Sequence, residues 1–150
     1  MSMNESNGII TLMRGDTFQF PVKINIGTLT SPKYKKLDEN DVLYFGLMEP
    51  GKSFEDAVLK KRIDQSNDTD SDGYPIITID HKDTSNLLVG KYYYTIKLRT
   101  ISEFGNEIVR TIVKPTLFWL DGENPIDEVE HAEEVAKGIT RIVFDGGEIV

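Results

Sequence analysis

Cysteine is absent from the chain, and histidine occurs only at His81 and His131. The first absence removes disulfides, thiol nucleophiles and cysteine-ligated zinc together. Two imidazoles far apart in sequence leave most hydrolytic and metal chemistries without their parts. Long apolar runs are missing too. No stretch approaches the length of a membrane-spanning helix, and the polar N-terminus, residues 1–8, does not read as a signal peptide. The expectation is a soluble protein made in the cytosol. Positive charge is in the minority: 17 Lys and Arg face 25 Asp and Glu, a formal charge of −8. Such a chain repels nucleic-acid phosphates unless its cations gather on one face. Its two local basic runs, Lys33-Tyr34-Lys35-Lys36 and Lys60-Lys61-Arg62, read as solvated strand or loop surface. Neither a nucleic acid nor a membrane is expected as a partner.

What is present is strand grammar. In 150 residues, 39% of them hydrophobic, there is room for one core and a short appendage. Its centre is the stretch from Thr84 to Leu98. Tyr92, Tyr94, Ile96 and Leu98 occupy every second position and so share one face of a strand. Gly90 precedes them at a sharp turn, and Leu87 is expected to enter the core ahead of it. The turn-rich Ser102-Glu103-Phe104-Gly105-Asn106 then leads to a β-branched run, Ile108 to Val113, which makes a β-hairpin. A hairpin entered through a Leu-x-x-Gly-x-Tyr corner is typical of β-sandwich domains.

Upstream, Ile9 to Met13 reads as a first strand and Arg14-Gly15-Asp16 as a turn. Phe18, Phe20, Val22, Ile24 and Ile26 then alternate with polar residues, one face in the core and one wet. Pro21 lacks a ladder donor and argues for an edge or a bulge. Gly27 to Asn40 reads as a loop. Asp41 to Met48 is apolar on both faces, which suits a central strand covered on both sides, the second side by a partner subunit. Ala57 to Ile63 and Pro75 to Ile79 read as further strands, separated by the polar and disordered-looking Asp64 to Gly73. Pro115 to Leu120, with the one tryptophan, closes the sandwich. At Asn124 the pattern changes: an N-cap, Pro125 at the first helical position and acids in the first turn predict a short helix ending at Gly138. A strand-like tail follows, Ile139 to Phe144 and then Ile149-Val150. Such a tail either folds back or reaches another chain's sheet edge.

Few motifs carry chemistry. Asp68-x-Asp70-x-Asp72-Gly73 matches the front half of a calcium loop, but Ile79 stands where the bidentate Glu is needed. The plainer reading is a solvated acidic hairpin loop, so no cofactor is expected and calcium on Asp68, Asp70 and Asp72 is the single metal candidate. Arg14-Gly15-Asp16 reads as a turn rather than an adhesion tripeptide. Glu128-x-x-His131 with Glu134 has a metal-site spacing but lacks the second helix such sites need. His81 lies between Asp80 and Asp83 with no serine marked as a nucleophile, and no carboxylate pair stands out for glycoside hydrolysis. The chain reads as a non-enzyme. Phe18, Phe20, Tyr44, Phe45, Tyr92, Tyr94, Phe118 and Trp119 are assigned to the core, and Tyr93, on the opposite face, is the candidate for an exposed contact.

Met13 to Thr17 followed by an alternating strand, then Asp41 to Phe45, then Thr84-x-x-Leu87-x-x-Gly90-x-Tyr92-x-Tyr94-x-Ile96-x-Leu98 resembles a family. These are the small immunoglobulin-like β-sandwich virion proteins of tailed phages and prophages of Gram-positive bacteria. Among them the chain resembles the N-terminal domain of baseplate upper proteins, over residues 9–120. Against those proteins, the residues after the sandwich are expected to be only the Pro125 to Val150 extension rather than a long receptor-binding-protein anchor. The resemblance implies an all-β, immunoglobulin-like antiparallel sandwich with a short C-terminal helix and strand extension. The expected division is a disordered 1–8, a sandwich 9–120 and a helix-strand arm 121–150. The implied function is structural, in a baseplate, tail or capsid decoration, with localisation in the virion after synthesis in the bacterial cytoplasm. The expected partners are further copies of the chain and other phage structural proteins, with Ile139, Ile142, Phe144 and Ile149 as assembly residues. The alternative is a carbohydrate-binding or adhesion module using exposed aromatics and the acidic loop.

Overall fold

The computed structural model describes residues 2–3, 7–66, 69–122, 145–146 and 148–149. Strand dominates these residues, so the chain is all-β. In chain order the strands are β1 (Ser2–Met3), β2 (Ile10–Met13), β3 (Phe18–Pro21), β4 (Ile24–Asn25), β5 (Tyr34–Lys35) and β6 (Val42–Met48). They continue with β7 (Leu59–Ile63), β8 (Ile76–Ile79), β9 (Gly90–Ile101), β10 (Glu107–Asp121), β11 (Asp145–Gly146) and β12 (Glu148–Ile149). One six-stranded sheet has the order β1-β2-β10-β9-β6-β7, and β3-β8, β4-β5 and β11-β12 form separate pairs. The chain forms two compact units: Met1–Phe18, Asp80–Tyr92 and Leu117–Val150 in the first, Gln19–Ile79 and Tyr93–Thr116 in the second.

In the first unit, β2 runs parallel to the end of β10, with Ile10 opposite Phe118 and Leu12 opposite Leu120. All four side chains are buried on one face. Ser2 and Met3 pair antiparallel with Thr11 and Ile10, so strand begins inside the span 1–8 that reads as disordered in the sequence. The Arg14-Gly15-Asp16 turn is tied down rather than presented. The Arg14 guanidinium donates to the Leu87 carbonyl at 3.1 Å, and the Gly15 N–H donates to the Thr84 hydroxyl at 2.9 Å. Thr84 is completely buried, whereas Leu87 is only half-buried. The residue that enters the interior ahead of the β9 turn is therefore Thr84, because its hydroxyl satisfies a backbone donor that Leu87 has no means to satisfy.

In the second unit, β6 is the central strand, paired antiparallel with β7 on one side and β9 on the other. Leu43, Phe45 and Leu47 line one face and are buried. Phe45 stacks on Tyr94 at 5.7 Å between centroids, and Phe20 meets both rings edge-on at 6.4 Å. Burial pushes the Tyr94 phenol up from its ordinary pKa. The other face of β6 is covered by the chain itself. Phe54, on a 3-10 turn, lies over Gly46, where an added Cβ would stand 2.5 Å from the ring. The ammonium groups of Lys60 and Lys97 sit 5.5 and 5.7 Å from the same ring.

The long alternation from Phe18 to Ile26 breaks into β3 and β4. Pro21 ends β3 without an N–H to extend the ladder, and the Val22 N–H turns instead to the Pro75 carbonyl at 2.9 Å. β3 pairs with β8 alone, which is an edge position. The residues Gly27 to Asn40, read as loop, contain β5, and Leu37 among them is buried. At the far end, β10 is a single 15-residue strand rather than two, with Pro115 inside it. Pro115 is tolerated because β2 covers only Phe118–Asp121, leaving β9 as its one strand neighbour among the described residues. The helix predicted over 125–138 lies outside the described residues.

Thr84→Val keeps the shape of the side chain and removes the acceptor for the Gly15 N–H. The expected outcome is a loss of about 1–3 kcal/mol, read as a lower urea midpoint with an unchanged slope. An unchanged midpoint would mean that water replaces the hydroxyl.

Candidate functional site

The β4–β5 hairpin is built by one side chain. Asn25 Oδ1 accepts the N–H groups of Gly27 and Lys33 at 2.8 and 3.1 Å, closing the turn from within. Gly27 is required there, since a Cβ would fall 2.5 Å from the Ser31 carbonyl oxygen. The same turn swings Ile26 outward, to 56% exposure, against its expected place in the core.

Between this hairpin and the strands β9 and β10 lies a cleft of about 720 Å³. Its lining is apolar where Ile24, Leu98 and Ile112 contribute and cationic where Lys23, Lys35 and Arg110 contribute. Among the described residues no carboxylate lines it. Lys35 is held by Asp41, its ammonium 2.9 Å from Oδ2 and 3.9 Å from Asp38. Lys23 leans over the Tyr34 and Tyr74 rings at 5.5 and 5.8 Å. Arg110 is exposed on β10.

Asp41 is the buried ionisable anchor behind the cleft. Burial by itself pushes its carboxyl up. The Thr100 hydroxyl, the Asp38 N–H and the Lys35 ammonium outweigh that and hold it below the ordinary carboxylate value. Its Oδ2 takes the Asp38 N–H at 2.9 Å together with Lys35, while Oδ1 makes no hydrogen bond of full geometry.

The outer edge of β10 continues from the cleft. Among the described residues no strand pairs with it from Glu107 to Thr116. Val109 on this stretch is 59% exposed, and Phe104, at the tip of the β9–β10 turn, is 82% exposed. An unpaired strand edge beside exposed apolar side chains is a template for another chain.

The residues singled out in the sequence are placed unevenly. Asp70 Oδ1 accepts the N–H groups of Asp72 and Tyr74, both at 2.9 Å, so its carboxylate closes its own turn. Asp72 is exposed nearby, and Asp68 lies outside the described residues. Among the described residues no three His, Asp or Glu side chains gather as a metal site. Ile139, Ile142 and Phe144 lie outside the described residues, and Ile149 belongs to β12, opposite Asp145. His81 Nδ1 lies 2.7 Å from Asp80 Oδ1, and the Asp80 N–H donates to the Asp83 carboxylate at the start of a helical turn, so this cluster caps a backbone. Tyr93 is half-buried opposite Met48, whereas Trp119, assigned to the core, is 40% exposed on the face opposite Phe118. Adjacent residues of a strand point to opposite faces, so Phe118 and Trp119 cannot share one core.

Lys23 and Arg110 carried no distinctive sequence signal, and Lys35 belonged to a basic run read as solvated strand or loop surface. Lys23 and Arg110 are spaced as solvent-facing residues, and only the Asn25, Gly27 and Ser31-Pro32 pattern hinted at the hairpin that brings them together. No protein-family model matches the chain, and no curated protein matches it.

The depressed pKa of Asp41 adds stability that is present above the unfolded value of 3.8 and is lost as the pH falls through the folded value. Denaturation midpoints followed from pH 7 down to about 3 are expected to drop steeply at the acid end. Asp41→Asn should be less stable at neutral pH and show a flatter acid limb. Parallel curves for the two proteins would remove Asp41 from this role.

Proposed function

We propose that the chain is a non-enzymatic structural protein of a bacteriophage virion that assembles through its sheet edges and C-terminal arm. The observation that carries this reading is the open edge of β10 from Glu107 to Thr116, next to the exposed Val109. Monomeric proteins blunt such edges with bulges, short strands or covering loops. Here the edge is long, and Arg110, Lys114 and Pro115 are its guards. The immunoglobulin-like arrangement belongs to the same proposal. It is supported by the strand alternation and by the parallel pairing of β2 with the end of β10. A place in a baseplate, a tail or a capsid decoration follows from the resemblance of residues 9–120 to phage sandwich proteins. The virion is then the localisation, with other phage structural proteins and further copies as partners.

A second reading, glycan binding, draws on Trp119 and on Tyr34, which is 41% exposed with Lys23 over its ring. Exposed aromatic faces stack on sugars, and Trp119 offers such a face outside the core.

Light scattering on the full chain is expected to give a mass above the monomer. Val109→Lys, which puts a charge on the open edge, should lower it while leaving the unfolding free energy within about 0.5 kcal/mol of the parent. Mass spectrometry of particles purified from the strain that carries the gene is expected to find peptides of this chain. A monomer insensitive to Val109→Lys, or particles without the chain, would overturn the proposal. Glycan binding abolished by Trp119→Ala would put the second reading in its place.

A further inference from the structure

The negative charge of the chain is concentrated at one end. Residues 121–150 hold nine carboxylates against Lys137 and Arg141, so they account for −7 of the formal −8. Within them, Asp121 to Glu134 carries seven carboxylates and no Lys or Arg, with Ile126, Val129 and Ala132 spaced among the acids. The remaining 120 residues are almost neutral, at −1.

The cleft of the second unit has the complementary character. Its floor is apolar through Leu98 and Ile112, and among the described residues no carboxylate lines it. Asp41 neutralises Lys35, whereas among the described residues no carboxylate pairs with Lys23 or Arg110, and Lys114 follows on the same strand. An acidic segment with interspersed aliphatic side chains matches both features. Carboxylates meet Lys23, Arg110 and Lys114, and Ile126 and Val129 meet the apolar floor.

We propose that the acidic segment Glu123–Glu134 of one copy docks in this cleft, beside the open edge of β10, on a second copy. The inference rests on the assembly reading above and names its contact. A second copy is the occupant because the cleft borders the edge through which the assembly reading joins copies: Arg110, Thr111 and Ile112 line the cleft and lie on the stretch of β10 that no described strand covers. The docking surface and the docked segment are different parts of the chain, so copies either exchange segments reciprocally in a two-fold dimer or follow one another head-to-tail into a ring or filament.

The test uses full-length protein. Its association constant, from concentration-dependent light scattering, is expected to fall at least about tenfold between roughly 50 and 500 mM NaCl, because exposed charge pairs are screened. Two variants divide the contact: Lys23→Glu with Arg110→Glu spoils the cleft, and Glu128→Gln, Glu130→Gln, Glu133→Gln and Glu134→Gln together neutralise the segment. Each alone is expected to be a monomer. Mixed one to one, they should form a heterodimer, since the first keeps its segment and the second keeps its cleft. That recovery also shows that both are folded. A mixture that stays monomeric overturns the proposal, as does a parent mass unchanged in both variants. If the parent mass survives both variants but falls with Val109→Lys, the edge assembles without the acidic segment and only this inference fails. If the parent itself is a monomer at every salt concentration, both fail.

Discussion

Everything in the second unit depends on β6 being hydrogen-bonded on both sides and buried on both faces. A strand in that position must be apolar throughout, because any side chain it carries is removed from water. Val42 to Met48 meets that demand, and Gly46 is the one place where side-chain volume is given up, for the Phe54 ring. With both edges of β6 satisfied by β7 and β9, the neighbouring strands inherit their register from it. Phe45 and Tyr94 stack across that register, and Phe20 joins them from β3. Aromatic burial of this size is worth several kcal/mol per ring, a large fraction of the net stability of a small domain.

The polar groups follow the same economy. Asp41, at the entrance to β6, is buried but answered by Lys35 and the Asp38 N–H, and Lys35 in turn belongs to the hairpin that forms the cleft. One buried carboxylate thus ties the hairpin to the start of the central strand. Thr84 does comparable work in the first unit by accepting the Gly15 N–H. Both residues are polar, and the physical reason for their burial is a backbone or charge partner that no periodicity in the sequence announces.

The candidate site was less legible than the fold. Its cations sit on separate stretches: Lys23 beyond Pro21, Lys35 in residues that read as loop, and Arg110 on a strand read as ending near Val113. What joins them is the partner change after Pro21, where the chain leaves β8 and forms the β4–β5 hairpin instead. That change depends on the Asn25 carboxamide and on the space Gly27 leaves, both local, and on the presence of β9 and β10 across the cleft, which is not local. Tryptophan misled for a related reason. Trp119 has the size of a core residue, but its neighbours Phe118 and Leu120 hold the inward positions of the strand, and alternation leaves it outside.

The sequence by itself determined the all-β class, the positions of β2, β6, β7, β8 and β9, the inward set Tyr92, Tyr94, Ile96 and Leu98, and the turns at Arg14-Gly15-Asp16 and Ser102 to Asn106. These are period-two patterns and turn chemistries, which act over a few residues and need no knowledge of the rest of the chain. Tertiary structure alone decided that β2 pairs parallel with the end of β10, that Phe54 covers Gly46, that Thr84 is buried in place of Leu87, and that β10 keeps an open edge beside a cationic cleft. Each of these is a pairing between residues distant in sequence. Only the folded chain, in which every buried donor, acceptor and apolar face must find its partner at once, chooses among them.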